Sequence, residues 1–371
     1  MNLSGRGPIW PMIKQHLAVF DVPLGLIMTA LLSVGLVTLY SAGIDLPGIV
    51  GNQVRNIFVA VVVMWIVANI PPQTLMRFAA PVYTVGILLL LAVAVVGTVK
   101  LGARRWLNLG VTNFQPSEIM KIAMPLMLAW FFQKHEGLIH WREFLIAGLL
   151  LLVPVYLIGR QPDLGTALLV LAAGFYIIFL AGLSWRVLFG LVVVGGASLP
   201  IIWRFLHPYQ RERIMTLIDP TSDPLGKGFH IIQSTIAVGS GGITGKGWLQ
   251  GTQAHLEFIP ERTTDFIFAV YSEEFGFIGN IVLMVLYLLL IGRGLIIAAN
   301  APTFFTRLLA GAITMIFFTY AFVNMGMVSG ILPVVGVPLP FMSYGGTSLL
   351  TLGLGAGILM SIQRNRKLVQ S

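Results

Sequence analysis

Apolar residues run along this chain in ten long blocks, and short polar segments separate the blocks. Each block is close to the roughly 20 apolar residues that a helix needs to cross the hydrocarbon core of a bilayer. This pattern predicts an all-α polytopic membrane protein with about ten transmembrane helices. We expect them at 22–41, 54–70, 78–97, 117–133, 143–159, 164–182, 187–206, 265–291, 307–330 and 342–362.

Two of the polar segments between the predicted helices are unusual. Residues 98–116 carry Lys100, Arg104 and Arg105 before any acid. Residues 207–264, between the seventh and eighth helices, form a loop that is too long to be a structureless connector, so we expect it to be ordered or functional. Its mildly polar stretch 231–243 is typical of a short interfacial helix. We see no internal repeat and no linker, so residues 1–371 are expected to form a single membrane domain.

The composition excludes a soluble enzyme and a disordered chain. Hydrophobic residues make up 57% of the sequence and charged residues only 10%, against about 25% charged residues in soluble domains. In a membrane protein, a net charge of +9 is better explained by basic cytoplasmic loops that face anionic lipids than by nucleic-acid binding. Because the chain has no cysteine, it has no disulfide, no thiolate nucleophile and no cysteine-ligated metal.

Ten spans place both termini on the same side of the membrane. The numbers of Lys and Arg residues on the two sides are nearly equal, but several of the outer ones lie in or beside the long loop, where the positive-inside rule does not apply. The inner segments are short and nearly free of acids, and they include the basic end of the chain at Arg364, Arg366 and Lys367. We therefore predict cytoplasmic termini and a periplasmic loop at 207–264.

Most of the notable polar residues map to the predicted outer ends of the helices. One interpretation is structural: Ser117, Thr166 and Asp265 are good helix caps, and an ion pair between neighbours is plausible in two places. The other interpretation is functional, because helix N-termini and basic side chains together form an anion site. The residues concerned are the pair Glu118 and Lys121, the pair Arg160 and Asp163, and Asp265, Glu273 and Glu274.

Taken together, these residues favour function. Ionisable groups at membrane depth are costly and usually functional, so Glu273 and Glu274 are expected to face the bundle interior. An acid beside a bound anion is able to act as a base or to hold a divalent cation. The sequence thus points to an outer-face site for a phosphate-bearing lipid, without specifying a reaction.

Four motifs of this sequence resemble those of one known family, the SEDS proteins (shape, elongation, division, sporulation). Their order and spacing match over essentially the whole chain. Within the family, the sequence is most similar to the elongation member, on residues 219–226, 245–249, 251–253 and 256–258. The four motifs are Phe114-Gln115-Pro116-Ser117-Glu118, Gln161-Pro162-Asp163-Leu164-Gly165-Thr166, residues 260–269 and residues 336–346.

The resemblance implies a peptidoglycan glycosyltransferase of the bacterial inner membrane. Such an enzyme polymerises lipid II on the periplasmic face during cell elongation and releases undecaprenyl pyrophosphate. It also implies a class B penicillin-binding protein and other elongation-complex membrane proteins as partners, and a divalent cation (Mg²⁺ or Mn²⁺) without an organic cofactor. The essential acid of the family falls on Asp265.

The residues expected to contact the substrate are basic, acidic or polar side chains at the outer face. The basic ones are candidates to stabilise the leaving pyrophosphate. Glu118, Asp163 and Asp265 are the candidates to hold a cation. The full set of expected substrate contacts is Arg104, Arg105, Trp106, Glu118, Lys121, Arg160, Asp163, Arg211, Arg213, Arg262 and Ser343.

Two alternative functions remain open from the sequence: a lipid II flippase, and a scaffold that only positions a penicillin-binding protein. A flippase needs charged access from both leaflets, whereas Glu118, Asp163 and Asp265 lie at the predicted outer ends of their helices. Polymer formation by the purified protein would separate all three functions.

Overall fold

The computed structural model describes residues 19–369 except 101–102, 109–112, 138, 207, 224–227, 257 and 260. Helices dominate this part of the chain, and three short strands follow the third helix. The helices are α1 (Val22–Ala42), α2 (Ile49–Ala68), α3 (Pro72–Val96), α4 (Pro116–Lys134), α5 (Trp141–Arg160), α6 (Leu164–Leu180), α7 (Trp185–Phe205), α8 (Pro208–Ile218), α9 (Phe229–Ser240), α10 (Thr252–His255), α11 (Ile267–Ala299), α12 (Phe304–Val328) and α13 (Gly346–Val369).

A long helix lies at each of the ten segments that the hydrophobic pattern predicts. Seven helices in the described part of the chain are long and apolar enough to cross a membrane, and α6 and the apolar part of α7 are shorter. The remaining predicted span, α4, carries the charged residues Glu118, Lys121 and Lys134. The protein is a multi-pass membrane protein.

The bundle is organised around α12, which packs against α11, α6, α4 and α13. Its side chains Phe305, Leu309 and Tyr320 are buried. α4 is buried by α3, α6 and α12, which explains how a helix with charges near its start lies inside the bundle.

Contacts between helix ends agree with an alternating, up-and-down path of the chain. At one end, Arg293 Nε donates to Asp21 Oδ1 over 2.9 Å, and Arg364 Nη1 donates to Asn69 Oδ1 over 3.0 Å. At the other end, Arg262 contacts Asp45 beyond the end of α1. We call the end with Asp21 the inner end and the end with Arg262 the outer end.

The basic segment after α3 contains strands, so the all-α expectation is wrong at this point. Strand β1 (Thr98–Lys100) pairs antiparallel with β2 (Ala103–Asn108), and β2 pairs with β3 (Asn113–Phe114). The β-branched residues Thr98 and Val99 favour an extended backbone.

Helix α11 is interrupted at Gly276, although the sequence predicts one continuous span there. Gly276 has φ 62° and ψ −159°, a conformation that favours glycine. Residues 241–247 of the long loop insert at the break. Their backbone N–H groups donate to the carbonyls of Glu273 and Glu274 over 3.0 Å, and their carbonyls accept from the first N–H groups beyond the break.

The same loop surrounds Glu273 and Glu274. Both glutamates are buried, as the sequence predicts. Glu273 is 0% exposed. It accepts hydrogen bonds from Lys246 Nζ (2.6 Å), from the backbone N (2.9 Å) and hydroxyl (3.1 Å) of Thr252, and from Gln253 N (3.1 Å). We call these four residues the Glu273 clamp. Glu274 accepts from the Ser41 hydroxyl and from Leu249 N. The predicted interfacial segment 231–243 is largely helical, as α9.

Candidate active site

Asp265 lies at the outer end, one residue before the Phe266 cap of α11. Its backbone carbonyl accepts a hydrogen bond from Asn324 Nδ2 over 2.8 Å, and the same amide nitrogen donates to Val337 O over 2.7 Å. Gly336 has φ +73°, and a Cβ atom there would lie 3.3 Å from Asp265 Oδ2. The backbone of Asp265 is therefore fixed to α12, and its carboxylate lies against a glycine.

The Pro-rich connector, residues 331–345, joins α12 to α13 and holds the segment before Asp265. Ser343 Oγ donates to Thr264 O over 2.6 Å and accepts from Leu339 N over 2.8 Å, while Tyr344 N donates to Thr263 O over 2.9 Å. The buried Ser343 hydroxyl thus has two protein partners. This arrangement suits a residue that positions Asp265, and a substrate contact by Ser343 stays a prediction.

Gln53 of α2 supports the connector from the other side. Its side-chain Nε2 donates to Ser343 O over 3.1 Å, and its Oε1 accepts from Gly345 N. Gln53 and Asn324 were not expected from the sequence. Asn324 has a signal in the sequence, because it is a polar residue isolated in an apolar stretch, whereas Gln53 lies among Asn52, Arg55 and Asn56 and does not stand out. Both side chains are almost fully buried.

Glu118 and Lys121 form the ion pair that their spacing allows. Lys121 Nζ lies 2.6 Å from Glu118 Oε1 and 5.3 Å from the centre of the Tyr320 ring. Glu118 Oε2 lies 3.1 Å from the Thr351 hydroxyl of α13. Lys121 is 3% exposed, so α4 carries a buried cation close to α12.

Asp163 is the N-cap residue of α6. Thr166, which the sequence suggests as a cap, is instead the residue whose backbone N–H binds the Asp163 side chain. Its Oδ1 accepts from Thr166 N over 3.2 Å, and its Oδ2 accepts from Gln115 Nε2 over 2.8 Å. The expected pair with Arg160 does not form. Arg160 is exposed, and its guanidinium lies 5.5 Å from the centre of the Tyr156 ring.

Arg105 joins the hairpin to the turn that holds Asp163, because its Nη2 donates to Pro162 O over 2.6 Å. The Asp163 turn also approaches the connector. A Cβ atom at Gly165 would lie 2.5 Å from Val335 O, and Val335 is next to Gly336. The connector therefore lies between the Asp163 turn and Asp265.

Arg262 lies three residues before Asp265, and its guanidinium binds backbone and an acid of the protein itself. Its Nε donates to Ala42 O over 2.7 Å, Nη1 to Ala254 O over 2.9 Å, and Nη2 to Asp45 Oδ2 over 3.1 Å. These contacts tie the end of α1 to the long loop.

The contacts seen do not connect the remaining candidates to Asp265, Lys121 or Asp163. Arg211 Nη2 donates to Arg204 O over 2.7 Å, at the junction of α7 and α8. Trp106 is half-buried on β2, and its carbonyl accepts from the Thr98 hydroxyl. The side chains of Arg104 and Arg213 lie outside the described part of the structure.

The candidate cation ligands do not form a metal site. Glu118 and Asp163 each use both carboxylate oxygens in contacts with neighbouring side chains or backbone. Within the described ranges, no three His, Asp or Glu side chains converge closely enough to hold an ion. The residues present therefore do not fit a cation held by an acidic cluster.

Residues 17–368 match the model of a protein family, FTSW_RODA_SPOVE, described as "cell cycle protein". This match covers most of the chain. The chain belongs to the FtsW/RodA/SpoVE family. The SEDS resemblance of the four motifs is thereby confirmed.

Several members of the FtsW/RodA/SpoVE family are similar to this chain over nearly their whole length. It is 51% identical to "peptidoglycan glycosyltransferase MrdB" of Escherichia coli, over 96% of each chain. It is 32% identical to "peptidoglycan glycosyltransferase RodA" of Treponema pallidum, over 92% of this chain and 97% of the relative.

Two solved structures have the same fold. One chain, from a study of "polymerization and crosslinking by a peptidoglycan synthase complex", gives a TM-score of 0.81 at 36% identity and covers 94% of this chain and 98% of its own length. The RodA protein of Thermus thermophilus gives a TM-score of 0.71 at 30% identity and covers 94% and 97%.

Proposed function

We propose that this protein is a peptidoglycan glycosyltransferase that polymerises lipid II during cell elongation. The observation that carries the proposal is the fixed position of Asp265. Asn324, Ser343 and Tyr344 hold its backbone and the residues before it. The relatives named as glycosyltransferases support the class of reaction.

Asp265 is the general base in this proposal. Its carboxylate takes the proton from the 4-hydroxyl of the acceptor GlcNAc, and the oxygen attacks C1 of the donor MurNAc with inversion. The new bond joins this oxygen to C1. The bond between C1 and the phosphate oxygen breaks, and undecaprenyl pyrophosphate leaves with the bonding electrons.

Lys121 is the strongest candidate to stabilise the leaving pyrophosphate. Its buried ammonium has Glu118 as its hydrogen-bond partner, and an ammonium carries three N–H donors. The donors not used by Glu118 are suited to phosphate oxygens in a site of low dielectric constant. Arg105, beside the Asp163 turn, is the second candidate.

We infer ten membrane spans in the bacterial inner membrane, with cytoplasmic termini and the loop 207–264 in the periplasm. The contacts at the two bundle ends support an even number of crossings. In this orientation Asp265 and Lys121 face the side on which cell-wall polymerisation takes place.

The inner end argues against a transporter. A cavity of about 550 Å³ lies there between α3, α4, α12 and α13. Its lining carries no charged side chain among the described residues, and Gln73, Gln133 and Asn365 are among its polar groups. A charged pyrophosphate crossing the membrane would need compensating charge at this end as well.

The partner in this proposal is a class B penicillin-binding protein, together with other elongation-complex proteins. A similar chain taken from a peptidoglycan synthase complex supports an assembly of this kind. A divalent cation, Mg²⁺ or Mn²⁺, is also expected. Because Mg²⁺ is often held by substrate phosphates with few protein ligands, we assign no step to a metal held by an acidic cluster.

The decisive experiment uses purified protein without a partner in detergent, with lipid II as substrate. We expect glycan polymer from the wild type and at least a hundredfold loss, about the contribution of a general base, in both Asp265→Asn and Asp265→Ala. Thermal unfolding confirms that the variants fold. Polymerisation by the variants at wild-type rates would remove Asp265 as the base, and no polymer from the wild type would remove the proposed function.

A further inference from the structure

Three buried polar atoms on two packed helices have no hydrogen-bond partner within the described part of the chain. They are Ser117 Oγ on α4, and Tyr320 OH and Asn324 Oδ1 on α12, and all belong to residues that are at most 1% exposed. A buried polar group without a partner costs about 1–3 kcal/mol. Such groups are uncommon in folded proteins, and each one needs an explanation.

The spacing of the three residues places them along one side of the contact between α4 and α12. Asn324 follows Tyr320 by four residues, so the two share a helix face, and Ser117 and Lys121 share a face of α4 in the same way. The two helices pack directly, and they run in opposite directions in the alternating path of the chain. Because Lys121 faces Tyr320, Ser117 and Asn324 lie one turn farther toward the outer end and Asp265.

The chemistry of Asn324 selects the kind of ligand. Its Nδ2 is already bound to two carbonyls, at 2.8 and 2.7 Å, and this fixes the orientation of the amide. The free Oδ1 is only an acceptor, so it suits a hydroxyl or an amide N–H and disfavours a phosphate oxygen. The hydroxyls of Ser117 and Tyr320 are able to accept as well as to donate.

We propose that Ser117, Tyr320 and Asn324 form a carbohydrate subsite, which binds sugar hydroxyl and acetamido groups of the lipid II headgroup. The inference rests on the proposed function and adds the part of the substrate that these buried groups recognise. The subsite lies between Lys121, the candidate for the pyrophosphate, and Asp265. One amide, that of Asn324, connects it to the backbone of the general base.

The test removes single oxygen atoms by Tyr320→Phe and Ser117→Ala. We expect each variant to bind lipid II about tenfold more weakly, which is the usual value of a hydrogen bond to a ligand. We expect the melting temperature to stay the same or to rise, because an unpartnered hydroxyl is lost. The matched control is Tyr83→Phe, whose hydroxyl donates to Leu150 O over 2.7 Å: its melting temperature falls and its lipid II affinity does not change.

A second probe, undecaprenyl pyrophosphate, lacks the sugars. Ser117→Ala should bind it with wild-type affinity, whereas Tyr320→Phe also changes the surroundings of Lys121 and is tested with lipid II alone. Three results would overturn the inference: unchanged lipid II affinity in both variants, an equal loss of affinity for both probes in Ser117→Ala, or a fall in melting temperature of Ser117→Ala like that of Tyr83→Phe. These results are distinct from a failure of the proposed function, in which the wild type makes no polymer from lipid II.

Discussion

Two groups of buried polar residues lie at the outer end, and they differ in how completely the groups at their centres are hydrogen-bonded. In the Glu273 clamp, the carboxylate accepts bonds from Lys246, Thr252 and Gln253, and the amide oxygen of Gln253 at its edge has no partner among the described residues. In the group on α4 and α12, three polar atoms have no partner among the residues that the structure describes, and Lys121 has Glu118 as its hydrogen-bond partner.

We interpret this as a difference in role: a buried carboxylate with all its hydrogen-bond partners stabilises the fold, whereas buried groups without a partner are available to a ligand. A buried charge with all its partners in place holds one conformation, and the loss of its partners is strongly destabilising. A buried group without a partner costs free energy in the absence of a ligand and regains it on binding. The clamp therefore fixes the long loop to α11, while the α4–α12 face is prepared for substrate. Substitutions in the clamp should thus change stability, and substitutions near Asp265 should also change activity.

The largest effect on stability is expected from Glu273→Ala. The change leaves Lys246 and the backbone N–H groups of Thr252 and Gln253 without their acceptor, at a cost of about 3 kcal/mol. A clear fall in the melting temperature of the purified protein checks it. Glu136→Ala, at an exposed position of the inner end, is the control and should change little. Equal melting temperatures for the two variants would contradict the structural role of the clamp.

Asn324→Ala is expected to act on both stability and rate. The loss of two buried hydrogen bonds costs about 2 kcal/mol. Release of the Asp265 backbone should lower kcat about a hundredfold, as a small displacement of a catalytic group does. The control is Asn300→Ala, at an exposed inner position. A kcat near that of the wild type would show that Asp265 does not depend on Asn324.

Gly336→Ala should combine a modest loss of stability with a loss of activity. A positive φ costs a residue with a Cβ atom about 1 kcal/mol, and the new methyl group would lie 3.3 Å from Asp265 Oδ2. Gly48→Ala is closely matched: it has φ +81°, and its Cβ would have no heavy atom within 4 Å. Both variants should lose similar stability, and only Gly336→Ala should lose activity. Equal activities of the two variants would show that a side chain at Gly336 in the connector does not disturb catalysis by Asp265.

The smallest expected effect is a pH dependence that arises from His230. Burial on α9, against the ring of Phe266, lowers the pKa of His230 below its ordinary value of 6.5, although the negative charge of Glu261 opposes the shift. A lowered pKa means that the folded state binds fewer protons than the unfolded state. The stabilisation is thus complete above pH 6.5 and is lost as the pH falls from 6.5 toward the lowered pKa.

Melting temperatures at several pH values check this prediction. His230→Gln should flatten the dependence below pH 6.5. An unaltered slope in His230→Gln would assign the effect to other groups.

The hydrophobic pattern predicts the ten long helices, because the length of an apolar block is a local property. It does not predict the break in α11, which depends on residues 241–247 reaching Gly276 through the fold. Even so, three glycines at 241, 242 and 245 and one at 276 are a signal that two backbones approach closely.

The candidate site is predicted in part. The pair of Glu118 and Lys121 follows from their spacing, and Asp265 and Asp163 follow from their motifs. Asn324 is visible in the sequence only as a polar residue in an apolar stretch, and the roles of Asn324, Gln53 and Tyr320 become visible only when α12, α2 and α4 pack together. Arg262 shows what the sequence does not reveal: its guanidinium binds two backbone carbonyls and Asp45, and its expected contact with the substrate stays a prediction.

The break at Gly276 also resolves a hydrophobic mismatch. As a straight rod, the 33 residues of α11 would extend about 50 Å, well beyond the roughly 30 Å of a bilayer core. The part after the break, residues 277–299, is about 35 Å long and matches that thickness. The part before the break is then free to lie in the headgroup region, where Glu273 and Glu274 avoid the hydrocarbon and Asp265 reaches the water-soluble end of a lipid substrate.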